Sequence, residues 1–119
     1  MVEDDPLMAK MYVSTLTLTG YEVQLASDGE EGIMKAKSFM PDLILLDVMM
    51  PKMNGMEVLE HLKADPQTKP IHVIMLTNLA GDIDAETALA KGAEKYLIKS
   101  DYEPNQIVDI IKGILGQPS

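Results

Sequence analysis

An aspartate closes an apolar run in Leu-Ile-Leu-Leu-Asp-Val-Met-Met-Pro, residues 43–51, and three other polar sites repeat the arrangement. Glu3 and Asp4 follow Met-Val at the start of the chain, Thr77 ends His-Val-Ile-Met-Leu-Thr, and Lys99 follows Tyr-Leu-Ile. Each follows a segment that reads as buried, where a polar group is costly without a partner. Carboxylates crowded together raise one another's pKa unless a cation relieves them. Three of them, with backbone carbonyls and water, suit a hard oxygen-loving ion such as Mg²⁺. A lysine and a hydroxyl beside them suit an anion rich in oxygens. The chemistry on offer is phosphoryl transfer to a carboxylate. Asp47 would be the nucleophile, the metal and Lys99 would neutralise charge, and Thr77 would hydrogen-bond a phosphoryl oxygen.

Singly, each residue has an ordinary reading. The acids at 3–5 read as a helix cap with favourable dipole charge, Asp47 as a strand-end turn residue, Thr77 as a loop cap and Lys99 as a solvated lysine. Their shared position at strand ends is what points to a site.

The elements that must position these residues alternate in type. Val23–Ala26, Leu43–Leu46, His72–Leu76 and Tyr96–Ile98 read as short buried strands. Between them lie helical spacings: Leu7, Met11 and Leu18; Ile33, Ala36, Lys37 and Met40; Gly55, Val58, Leu59 and Leu62; and Ile107, Ile110, Ile111, Ile114 and Leu115. Asp5-Pro6 and Glu103-Pro104 read as caps followed by proline at the first helical position. Gly20 closes the first helix, and Gly92 follows the fourth. Such alternation predicts an α/β fold with a parallel sheet and helices on both faces, whose ligands sit beyond the carboxyl ends of the strands.

The chain has 119 residues, enough for one domain, with residues 116–119 as a tail or the start of a linker. Nineteen acids against ten bases give a net charge of −9, which disfavours direct contact with a nucleic-acid backbone. No apolar run approaches the ~18 residues of a membrane span, and no signal peptide is visible. There is no cysteine, which excludes disulfides and thiolate metal sites and is compatible with a reducing cytosol without establishing one; the location expected is cytoplasmic. His61 reads as a surface residue and His72 as a strand-edge one. The ten methionines read as mainly core, with an adaptable contact surface as the lesser alternative.

The whole chain resembles the receiver domain of two-component response regulators, the CheY-like superfamily. The resemblance runs through VEDDP, SDGEEGI, PDLILLDVMMPKMNGMEVLEHLK, IHVIMLT and KGAEKYLIKS. It implies a doubly wound, flavodoxin-like five-stranded parallel sheet in the order 2-1-3-4-5 with five helices. It implies that Asp47 accepts a phosphoryl group from a sensor histidine kinase or a phosphotransfer protein. Glu3, Asp4, Asp47 and the backbone carbonyl of Met49 would hold Mg²⁺. Thr77 and Tyr96 match the switch pair, which would alter the face made by the fourth helix, fifth strand and fifth helix, where relatives dimerise or engage effectors. Such a domain is no enzyme beyond its own Mg²⁺-dependent phosphorylation and dephosphorylation, and it contacts neither membrane nor nucleic acid.

Three departures stand out. Only Met1 and Val2 precede the acids, so the first strand is apparently truncated, with upstream residues missing or a segment of another molecule in their place. Ser100 follows Lys99 where proline is common, so a trans bond with an altered loop or a strained bond is expected. Asn78 replaces a small residue after Thr77. Other chemistries fit less well. A haloacid-dehalogenase-like phosphatase needs a second acid two residues after the first, and Met49 stands there. A flavodoxin-like FMN site needs a hydroxyl- or glycine-rich phosphate loop, and Glu3, Asp4 and Asp5 would repel the phosphate. The remaining alternative is a receiver fold used only as a protein-binding module and never phosphorylated.

Overall fold

The computed structural model describes residues 1–3, 5–50, 53–78 and 82–116. Its helices are α1 (Pro6–Thr19), α2 (Gly29–Phe39), α3 (Gly55–Ala64), α4 (Asp82–Ala90) and α5 (Pro104–Leu115), and its strands β1 (Leu43–Leu46), β2 (His72–Thr77) and β3 (Lys95–Ile98). The strands form one parallel sheet in the order β1-β2-β3, with Leu46 opposite Met75 and Thr77 opposite Ile98. The α/β parallel architecture follows the sequence expectation; the number of strands does not.

Five strands are expected and three form among the described residues. The first two expected strands are reduced to single-residue bridges, in which Val2 lies parallel to Ala26 on one side and to Leu46 on the other. A ladder needs a partner at every second residue, and among the described residues Val23–Ala26 meets one in a bridge only at Ala26. Val2 still holds both sides: its amide donates to Leu45 O at 2.8 Å, and its carbonyl accepts from Asp47 N at 3.1 Å. The Met1 amine donates to Gln24 O at 2.8 Å, and burial, then the charge of Lys35, push its pKa down to about 6.

Alternation along the strands sorts the core into two layers. Ile44, Leu46, Val73 and Met75 face Ala36 of α2 and Val58, Leu59 and Leu62 of α3. Leu45, Ile74, Leu76 and Leu97 face Tyr12 and Leu16 of α1 and Ile107 and Ile111 of α5. The strands are buried on both faces, which is why they read as continuous apolar runs rather than alternating ones.

The predicted caps at Asp5, Glu103 and Gly20 are in place, and Asp28 and Asn54 add two that sequence reasoning did not single out. Asp5 accepts from Leu7 N at 3.0 Å, and Asp28 and Asn54 likewise cap α2 and α3 at 2.9 and 3.0 Å. Glu103 N donates to the Gln106 side chain at 2.7 Å, and Gly20 ends α1 in the left-handed region at φ 114°. The predicted face of α1 is wrong, however. Leu7 and Leu18 are 81% and 88% exposed, and the buried stripe is Ala9, Tyr12 and Leu16. Tyr12 wins the inner place because its ring fills the layer beneath the site. The methionines are mostly core, as expected: Met75 is fully buried, and Met1, Met8, Met50, Met53 and Met56 pack against the two layers, while Met11, Met34, Met40 and Met49 are exposed. Pro51 and the tail 117–119 lie outside the described residues.

Candidate functional site

Asp47 is the first residue past β1, Thr77 the last of β2, and Lys99 the first past β3. The three therefore occupy the carboxyl ends of three adjacent parallel strands, where an open α/β sheet presents its ligand crevice. Glu3 joins them because Val2 is pinned between Ala26 and Leu46, and Glu3 N donates to Ala26 O at 3.0 Å. Of the predicted metal acids, Glu3 and Asp47 are brought together; Asp4 lies outside the described residues.

Lys99 ties the cluster together. Its Nζ bonds Glu3 Oε1 and lies 3.2 Å from Asp47 Oδ2, all within the buried interior. Adjacent strands are about 4.8 Å apart, so the lysine stem must cross the end of β2 to reach Asp47. That crossing takes it over Thr77, which is fully buried. Burial works against the lysine's charge, but the hydrogen bond to Glu3 and the charge of Asp47 outweigh it, and its pKa is raised. The bond from Lys99 to Ser100 is trans, and Ser100 continues into a 3-10 turn over Lys99–Asp101. The missing proline thus leaves the lysine within reach of both acids.

Glu3 is 2% exposed, and its pKa is raised to about 7, first by burial and then by its hydrogen bond to Asp47, against the pull of Lys99. Two buried carboxylates share one lysine, and one of them holds its proton near neutrality, so the cluster is short of positive charge. Such an oxygen-only donor set fits a hard divalent cation. No group of three His, Cys, Asp or Glu side chains converges among the described residues.

The loop after β1 orders the nucleophile candidate. Met49 N donates to Asp47 Oδ1 at 3.1 Å, while the Met49 side chain is exposed. Gly55 N donates to Val48 O at 2.9 Å, and a Cβ at position 55 would stand 2.2 Å from Asp47 O. Only glycine lets α3 start against the backbone of Asp47. Asn78 follows Thr77 as an exposed residue.

Tyr96 in β3 is half-buried and packs on the α2–α3 layer. Its hydroxyl pKa is raised by burial and then by the charges of Asp84 and Asp47, which places it in electrostatic reach of the site. Sequence reasoning missed Tyr12. Its hydroxyl is pushed up by burial, with Lys99 and Glu3 acting on it in opposite directions. The available signal was its position seven residues after the Asp5 cap, on the same side of α1 as the site. His61 is exposed on α3, and His72 pairs with Glu94 at the surface, so neither belongs to the site.

Residues 1–112 match the family model described as response regulator receiver domain. The chain is 39% identical over 99 residues to the DNA-binding dual master transcriptional regulator RpaA of Synechocystis, covering 83% of this chain and 41% of that protein. It is 37% identical over 115 residues to the alkaline phosphatase synthesis transcriptional regulatory protein PhoP of Bacillus subtilis, covering 97% and 47%. The chain thus spans less than half the length of these curated relatives. Among solved structures, chemotaxis protein CheY4 of Vibrio cholerae superposes with a TM-score of 0.88 at 31% identity, covering 95% of this chain and 93% of that one. The CheX-CheY-BeF3-Mg complex of Borrelia burgdorferi gives 0.87 at 27% identity, covering 96% and 85%.

Proposed function

The chain belongs to the response regulator receiver domain family, and from that premise we propose that Asp47 is the phosphoacceptor of a two-component phosphorelay. The carrying observation is a buried carboxylate at a strand end, with Oδ2 facing Lys99 Nζ and Oδ1 held by Met49 N.

An Asp47 oxygen attacks the phosphorus of a phosphohistidine on a sensor histidine kinase or phosphotransfer protein. The P–N bond breaks, the imidazole leaves with the electron pair, and an acyl phosphate remains on Asp47. Lys99 keeps its positive charge beside the transferred oxygens, because Glu3 and Asp47 together outweigh its burial. Thr77 offers a hydroxyl at the adjacent strand end. Glu3, Asp47 and Asp4 with the Met49 carbonyl would hold Mg²⁺, which supplies charge neutralisation for the phosphoryl oxygens. A related structure was solved with BeF3 and Mg in a CheX-CheY complex, which supports the assignment.

Thr77 and Tyr96 form the proposed switch. Turning the Thr77 hydroxyl toward a phosphoryl group frees space for the Tyr96 ring, whose surroundings already include the Asp47 charge. The face of α4, β3 and α5 then changes, and a partner or a second copy binds there. The domain turns over no external substrate beyond its own phosphoryl group. A cytoplasmic location accords with a kinase partner, and among the described residues no helix is long and apolar enough to cross a membrane. The curated relatives are named as transcriptional regulators, yet the charge of −9 speaks against nucleic-acid contact by these residues themselves.

One observation favours a second reading. Lys99 already engages both Glu3 and Asp47, so the three side chains hold one another in place, as the frame of an unphosphorylated binding module would. Phosphorylation by acetyl phosphate distinguishes the two: the first reading requires an Mg²⁺-dependent adduct on Asp47, and the second forbids it.

A further inference from the structure

Helix α1 carries apolar residues on two opposite sides. Ala9, Tyr12 and Leu16 are buried, the last two in the layer shared with α5. On the other side Leu7, Met11, Ser14 and Leu18 are all exposed, Leu7 to 81% and Leu18 to 88%. They lie at i, i+4, i+7 and i+11, the spacing of a coiled-coil seam, and make one stripe about 17 Å long. Leucines held out in water at both ends of one stripe are the kind of apolar surface that marks an interface. Charge sets this helix apart as well. Its 14 residues include one lysine, Lys10, and no acid, whereas α2, α3, α4 and α5 each carry at least one Asp or Glu. In a chain of net charge −9, α1 is the helix that a second copy can approach without bringing acid against acid. The stripe is also symmetric: its steps of 4, 3 and 4 residues read the same in either direction.

We propose that α1 is a homodimer interface, in which two copies pack antiparallel about a two-fold axis at the middle of the stripe. Symmetry fixes the pairing. Leu7 of one copy meets Leu18 of the other at each end. Met11 meets Ser14 at the centre, where a flexible thioether fills the space beside a small side chain. Each leucine passes from water to an apolar contact, which is the driving term. Lys10 stands exposed at the margin of the stripe and keeps its charge in solvent. Both copies are acidic elsewhere, so long-range repulsion opposes association and added salt strengthens it. A single helix pair buries less than the roughly 1,200 Å² of a standard interface, so the dimer is reversible, with a dissociation constant on the order of 0.1 mM. This surface shares no residue with the face of α4, β3 and α5, and the inference does not depend on the phosphoacceptor reading.

The test is sedimentation equilibrium of the 119-residue chain in metal-free buffer without a phosphodonor. A monomer–dimer equilibrium that tightens as salt is added is expected. Leu18→Glu and Leu7→Lys should each weaken it more than about tenfold, because the two-fold axis makes every change count twice. An equal mixture of the two variants should recover most of that loss. Lysine from one chain then meets glutamate from the other, and the untouched Leu7 and Leu18 meet at the opposite end. Leu89→Glu, on α4, should leave the equilibrium unchanged. All three positions are exposed, so the variants' thermal midpoints should stay close to that of the unaltered chain. A chain still monomeric at about 1 mM would overturn the proposal and leave the stripe to a different protein. A dimer that survives Leu18→Glu, a mixture no tighter than its components, or a midpoint lowered because the leucine is covered within its own chain would each overturn it too.

Discussion

The two halves of the sheet are built differently. From β1 to β3 every strand has a full neighbour, the core is closed, and the polar ends of the strands converge on Lys99. From Met1 to Ala26 the sheet is held by one residue on each side, and a cavity occupies the place of a strand. The cluster nevertheless gathers residues from both halves. Val2 needs only two backbone bonds toward β1 to place Glu3, because the last pairing before the site is the one that survives. Position at a strand's carboxyl end therefore depends on the pairing next to it, whereas stability depends on the length of the whole ladder.

The largest way to break this arrangement is to cut the tie between the halves. Lys99→Met leaves Glu3 and Asp47 buried without their cation, and removing one partner of a buried ion pair costs roughly 3–5 kcal/mol. Urea unfolding at pH 8 should show that loss. At pH 5 the loss should shrink, because Glu3 is then protonated.

Next in size is the pH dependence of Glu3 itself. Its folded-state pKa of about 7 lies above the usual carboxylate value, so the fold binds this proton more tightly than the unfolded chain does. The stabilisation is complete below about pH 4.5 and is lost as pH rises through about 7, an amount on the order of 3 kcal/mol. Against Glu3→Gln in metal-free buffer, the stability advantage of the unaltered chain should decline over that window and then level off. A constant difference would mean that Glu3 does not titrate in that range.

A smaller test compares one glycine from each half. At Gly55 a new Cβ meets the rigid backbone of Asp47 at 2.2 Å, so Gly55→Ala should cost about 2 kcal/mol and displace Asp47. At Gly32 the nearest atom is a Val2 methyl at 2.8 Å beside the cavity, which has room to shift. Gly32→Ala also gains helix propensity, so its net effect should stay under about 1 kcal/mol. Equal losses by denaturant unfolding would contradict the contrast between the halves.

Most of the site-bearing half is readable in the sequence, for a physical reason. Leu43–Leu46 and His72–Leu76 are apolar on both faces because helices cover both, and the α3 stripe of Gly55, Val58, Leu59 and Leu62 is buried as its spacing predicts. What fails is whatever depends on a distant partner. Val23–Ala26 has a strand's composition, yet only Ala26 pairs, because pairing is a property of two segments. The α1 face is misread because Leu7, Met11 and Leu18 outrank Tyr12 in hydropathy, while the layer between the sheet and α5 takes the larger ring. The same reason hides Tyr12, whose hydroxyl feels the charges of Lys99 and Glu3. The cavity between residues 21–26 and β1 is lined by residues far apart in the sequence, and its walls come together only in three dimensions.

The central claim is that Asp47 accepts a phosphoryl group, and intact mass after incubation with acetyl phosphate tests it most directly. One added phosphoryl group, requiring Mg²⁺ and absent in Asp47→Asn, is the predicted result. An unchanged mass in a chain shown by its denaturation curve to be folded, or an adduct that persists in Asp47→Asn, would contradict it.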